Sequence, residues 1–188
     1  MTPRIIFVSG PPASGKTTLC EHLVAAFPLA VHLPMDDLRG WVKSGMADSV
    51  PWTDETERQF QIAEQASCEV AKTYLSHGFT VVIDHCRNPL RLDQVISEHL
   101  ADLPVVKAIL LPDLAENLTR SHTRTNKPFD PHMLDETIEF TNRNYRLDIP
   151  PGWIVIDNSK LSAGETLQVV LQTSELSCER ACSQMETP

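Results

Sequence analysis

Five short apolar runs alternate along the chain with stretches of helical periodicity. "RIIFVS" (4–9), "AVHLPM" (30–35), "FTVVID" (79–84), "VVKAILL" (105–111) and "WIVID" (153–157) read as strands. The first and third are apolar almost without interruption, the pattern of strands covered on both faces. Between them, helices are expected over 15–26, 54–77, 90–100, 113–124, 133–147 and 164–173, with a further amphipathic segment after Asp36 or Asp37 that ends near Gly45. In the longest, Phe60, Ala63, Ser67, Val70 and Tyr74 recur at three- and four-residue steps, and Gly78 supplies a stop. Strands alternating with helices predict an α/β fold: a three-layer sandwich around a five-stranded parallel sheet.

Composition narrows the class. At 188 residues one domain is expected, over 1–173, with a polar tail at 174–188 that carries no periodic pattern and is expected to fray. No apolar run is long enough to span a bilayer or to form a signal-peptide core, so a cytoplasmic protein is expected. Sixteen basic against twenty-five acidic residues give a net charge of −9, which disfavours a broad nucleic-acid surface. Five cysteines without paired CxxC spacing read as reduced thiols. Trp41 and Trp52 read as core.

The sharpest motif is "GPPASGKT", a full G-x-x-x-x-G-K-[ST] run placed between a strand and a helix. Gly10, Pro11, Pro12, Ala13, Ser14 and Gly15 form a loop whose backbone N–H groups turn toward one anion, and the helix N-terminus adds partial positive charge. Lys16 reaches outer phosphates, Thr17 ligates Mg²⁺ through its hydroxyl, and Thr18 faces an inner phosphate. Asp84, closing the third strand, fits the second half of such a site by holding a magnesium-bound water. His85 and Arg87 follow as further candidates to line the cleft. An acceptor hydroxyl needs a carboxylate base, for which Asp36 or Asp37 stands beyond strand two; Arg39, three residues on, suits an anionic group of the acceptor.

These residues resemble the small P-loop kinases that include gluconate kinases, chloramphenicol phosphotransferase, zeta toxins and, nearest in motifs, the kinase domain of phage-type polynucleotide kinases. Asp36 and Arg39 fit the Asp-x-x-Arg motif that supplies the base and a substrate contact there. Asp84, Asn88, Pro89 and Arg91 echo D-x-N-x-N-P-x-R, with Cys86 in place of the first Asn. "TRSHTRTNKPFD" has Arg120 and Arg124 at i and i+4, expected on one helical face, in the Arg-x-x-x-Arg spacing that opens the lid, here about 120–147. The resemblance implies that Arg120 lies near the adenine and Arg124 reaches the transferring phosphoryl. Asp157, Asn158 and Ser159 match the last strand's adenine-bordering loop, and Lys127 and Arg143 are weaker basic candidates. The implied activity is ATP-dependent, Mg²⁺-assisted transfer to a hydroxyl of a small molecule. A 5′-hydroxyl polynucleotide kinase and a nucleotide-binding switch stay open as alternatives.

Overall fold

The computed structural model describes residues 2–124 and 131–173. Five parallel strands, β1 (Ile5–Ser9), β2 (Ala30–Pro34), β3 (Thr80–His85), β4 (Val105–Leu110) and β5 (Trp153–Ile156), form one sheet in the order β2-β3-β1-β4-β5. The three-layer α/β expectation is met. Every residue of β1 and β3 is buried, which is why their sequences show no polar alternation.

Alternate residues of β1 feed two cores. Ile5 and Phe7 pack with Met35, Leu38, Ala63, Ala71 and Leu92, from α2 (Met35–Arg39), α3 (Asp54–Ser76) and α4 (Pro89–His99). Ile6 and Val8 face Leu19 and Leu23 of α1 (Lys16–Ala25) and Val170 of a last helix, α7, over 163–173. Between them in sequence, α5 (Leu114–Thr123) and α6 (Asp135–Asn144) pack together beside the carboxyl ends of the strands, with a 3₁₀ turn (Pro131–Leu134) leading into α6. Ligands of open parallel sheets bind at that edge.

Several expectations need correction. The segment after β2 does not run as a helix to Gly45: α2 stops at Arg39, and neither Asp36 nor Asp37 caps it, because Pro34 holds the N-cap position. The loop that follows is fastened by side chains instead. Gln59 accepts from the Ala47 N–H (3.0 Å) and donates to the Gly45 carbonyl (2.8 Å), while the Thr56 hydroxyl donates to the Asp48 carbonyl (2.7 Å). With its polar backbone satisfied this way, the loop needs no helix. The tryptophans are also not core: Trp41 is 69% and Trp52 48% exposed, since both sit on this loop, outside the sheet's covering. On α3, Phe60, Ala63 and Ser67 are buried as expected, but Tyr74 is exposed, and the buried stripe takes in Gln59 and Glu64.

Candidate active site

The loop after β1 is shaped by backbone positions that few residues tolerate. Gly10 has φ 148°, and a Cβ there would lie 2.5 Å from the Leu110 carbonyl oxygen. Ala13 has φ 59° and Gly15 φ 96°, both in the left-handed region. Gly15 occupies the N-cap of α1 with no side chain capping it, so the first-turn N–H groups are presented to a ligand rather than to the protein. Lys16 donates from Nζ to the carbonyls of Gly10 (3.0 Å) and Pro11 (2.9 Å), curling over the loop it serves.

Strand pairing sets the second half. Asp84 lies opposite Val8 in the β1–β3 register, two residues before Gly10, so its carboxylate meets the start of α1. There the Thr17 hydroxyl donates to Asp84 Oδ2 (3.1 Å), and His32 Nε2 stands 3.4 Å from the same oxygen. Burial alone would raise the Asp84 carboxyl. His32, the Lys16 charge and the Thr17 hydrogen bond outweigh burial and hold it below the ordinary range, hence ionised. Cys20 brings its sulfur within 4.8 Å of the ligand atoms of His32 and Asp84. Burial, then Asp84, pushes that thiol up, which favours its protonated form. A hydroxyl and an ionised carboxylate are the hard oxygen donors that Mg²⁺ takes, directly or through water.

A cleft of about 910 Å³ opens at this edge. Its walls bring together Pro12, Ala13, Gly15, Lys16, Thr17 and Thr18 with Asp36, Asp84, Arg120 and Arg124. A smaller hollow of about 230 Å³ adjoins it across Gly15, Thr18 and Arg120, walled by Leu110, Leu161 and Asn158. Arg120 bridges the two: it pairs with Glu116 (2.7 Å) and donates to the Asn158 carbonyl (2.7 Å), while Asn158 Nδ2 donates to the Ser14 carbonyl (2.9 Å). The arginines do not share a helical face, because α5 ends at Thr123 and Arg124 is its C-cap with extended backbone; both nevertheless reach the cleft.

Two predicted substrate contacts are engaged elsewhere. Arg39 is buried, donates to Ser49 Oγ (2.8 Å) and to the Ala47 carbonyl, and lies 4.4 Å over the Phe60 ring. Arg87 is paired with Glu57 and with Glu64 (3.0 Å) and stacks 5.1 Å over Trp52. For Arg87 the cause is Glu64, a carboxylate buried among His85 (3.3 Å), Arg87 and Arg91 (2.8 Å). Burial opposes its ionisation, but His85 and the two guanidinium groups prevail and lower it. Neither Asp37 nor Arg143 is part of the cleft wall: Asp37 is exposed on α2, and Arg143 pairs with Glu139 (3.5 Å). Lys127 and the tail from 174 onward lie outside the described residues.

Sequence reasoning missed several residues that hold this arrangement. Asn117 donates from Nδ2 to the Pro12 carbonyl (2.7 Å) and accepts from Asn142 (3.1 Å), which also donates to the Pro112 carbonyl (2.8 Å). Both asparagines are buried and fasten the phosphate loop to α5 and α6. Nothing marks them in the sequence except a polar residue on an otherwise buried helix face. Ser49 and Cys86 also join the cleft wall, where His85 stands as expected. His32 was findable only once β2 was known to pair with β3, which sets it diagonal to Asp84 on one face.

Fold and loop together define a P-loop kinase architecture. The sequence profile of the AAA domain family matches residues 5–139, and the chain belongs to that family. Among solved structures, it is similar to a gluconokinase from Sinorhizobium meliloti 1021 (19% identity, TM-score 0.70, 97% of this chain and 98% of that one). It is also similar to a thymidylate kinase from Candida albicans (14%, 0.67, 94% and 92%) and a shikimate kinase from Acinetobacter baumannii (19%, 0.58, 92% and 93%). At these identities the likeness shows the fold. No curated protein matches the chain significantly. Among the described residues no helix is long and apolar enough to cross a membrane.

Proposed function

We propose that the protein is an ATP-dependent phosphotransferase that moves the γ-phosphoryl group to a hydroxyl of a small-molecule acceptor. The observation that carries this reading is a single cleft in which a phosphate loop, an exposed carboxylate on α2, Arg120 of α5 and Arg124 at its C-cap converge. Three similar structures bear the names of kinases acting on a sugar acid, a nucleotide and shikimate, so the fold accommodates acceptors of different chemistry.

On this reading the loop amides of Ala13 to Lys16 and the α1 N-terminus bind the phosphates. Lys16 Nζ exchanges the carbonyls of Gly10 and Pro11 for the outer phosphate oxygens. Asn158, Arg120, Leu110 and Leu161 border the base in the smaller hollow. Thr17 and Asp84 would hold Mg²⁺, which would offset the charge of the phosphates. Asp36 orients the acceptor hydroxyl and receives its proton as the new P–O bond forms. Arg124 stabilises charge on the transferring group. Arg39 and Arg87 act behind this surface, holding the wall rather than the acceptor.

Asp36→Asn tests the assignment. With labelled ATP and a panel of sugars, sugar acids, amino-alcohols, nucleosides and a 5′-hydroxyl oligonucleotide, transfer is expected to a small alcohol and to fall about 10²–10⁴-fold in the variant. ATP affinity should survive. Unchanged ATP turnover in Asp36→Asn with no acceptor labelled would point to a switch, and labelling of the oligonucleotide alone to a polynucleotide kinase.

A further inference from the structure

Away from the phosphate loop, where α5 ends and α6 begins, three side chains converge. His122, in the last turn of α5, sets Nε2 2.8 Å from Asp135 Oδ1. His132, in the 3₁₀ turn before α6, sets Nδ1 3.1 Å from Asp135 Oδ2. The two imidazole rings lie 4.1 Å apart between centroids, tilted by 44°. The three ligand atoms all fall within 4.8 Å of one another.

This is the geometry of a metal site with protons in place of the ion. A tetrahedral zinc with ligands at about 2.0–2.1 Å separates neighbouring ligand atoms by about 3.3–3.4 Å, against 2.8 and 3.1 Å for the two N···O pairs and at most 4.8 Å among the three ligand atoms. Each carboxylate oxygen faces one ring nitrogen, so a modest outward shift admits an ion at their centre. To bind an ion, each imidazole presents a deprotonated ring nitrogen and carries its remaining proton on the other one. One carboxylate against a divalent ion leaves a net positive centre, and water supplies the fourth ligand. All three groups are partly exposed, which gives an ion and its water access.

We propose that His122, His132 and Asp135 form a zinc-class transition-metal site that cross-links the end of α5 to the start of α6. Two imidazole nitrogens with one carboxylate favour zinc and its neighbours over magnesium, which prefers oxygen donors in an octahedron. The site is separate from the Thr17–Asp84 pair and does not depend on the phosphotransferase reading. Its place is two residues before Arg124, so an ion there fixes the element that brings this arginine to the cleft.

Calorimetry of the full chain with Zn²⁺ alone, and absorption spectra with Co²⁺, test it. One ion per chain is expected, with the intense visible bands of tetrahedral cobalt bound through nitrogen and oxygen. His122→Ala and Asp135→Ala should each weaken affinity by at least about tenfold, a loss that even outer-shell changes at zinc sites produce. His132→Gln changes the most exposed of the three side chains and keeps the test open if another variant folds poorly. A cooperative thermal melt near that of the native chain, measured without zinc, confirms that each variant is folded. Zn²⁺ binding that persists unchanged in these variants, a thiolate-to-cobalt absorption band, or no binding at millimolar Zn²⁺ overturns the proposal.

Discussion

A single methyl group separates a working phosphate loop from a blocked one. At residue 10 a Cβ would meet the Leu110 carbonyl oxygen at 2.5 Å and Ser14 Oγ at 2.6 Å, and the first of these belongs to the backbone of a neighbouring strand. Gly10→Ala is therefore expected to cost about 1–3 kcal/mol in stability, read as a lowered melting temperature, and to weaken ATP binding in calorimetry. Glu64 is the second residue whose role far exceeds its appearance. Replacing it with Gln leaves Arg87 and Arg91 without their buried counter-charge, at the lower end of the about 3–5 kcal/mol typical of breaking such a pair. Its carboxyl is lowered from the ordinary 4.5 in the folded chain, so its stabilisation is complete above that pH and lost as pH falls through the lower folded value. The stability gap between the native chain and Glu64→Gln should accordingly stay level from neutral pH to about 5 and narrow below 4.5 in acid titrations.

At the scale of elements, α3 has two functions that its periodicity conceals. One face packs Ala63, Cys68 and Ala71 into the core, while Thr56 and Gln59 fasten the loop after α2. Gln59→Leu keeps the volume but leaves the Ala47 N–H and the Gly45 carbonyl without their partner. A cost of about 1–3 kcal/mol is expected, with faster proteolytic cleavage between 41 and 53 and little change in cleavage elsewhere. The same helix shows what was legible in the sequence. Buried strands such as Ile5–Ser9 and the glycine-rich loop announce themselves, because apolar runs and Gly-Lys-Thr spacing are local features. The fate of Arg39 and Arg87 is not local. Both resemble anion contacts until Glu64, a helical glutamate like many on a surface, and Ser49, a loop serine, are brought against them by packing across distant parts of the chain. Asp36 and Asp84 were readable because a strand's end fixes where a side chain emerges, whereas the end of α5 moved Arg124 off the helical face its spacing implied.

Across the whole molecule, the sheet serves as a rigid bench whose carboxyl edge carries every group of the proposed reaction. Loop, Asp84, α2 and α5 come from four separate connections, held in register by β1, β3 and the Asn117–Asn142 pair. A ligand that bridges them should therefore stabilise the entire fold rather than one segment. Saturation with Mg-ATP at about a hundred times its Kd corresponds to about 2.7 kcal/mol by mass action, visible as one cooperative upward shift in melting. Asp84→Asn separates the two halves of that effect. The variant retains the loop amides and Lys16, so nucleotide without metal should stabilise it about as well as the native chain. The additional shift that Mg²⁺ confers should shrink, because an amide does not replace an ionised carboxylate in ordering a magnesium-bound water. If magnesium adds the same increment to both proteins, Asp84 is a structural partner of Thr17 and His32 alone, and the metal is held by other oxygens at the cleft.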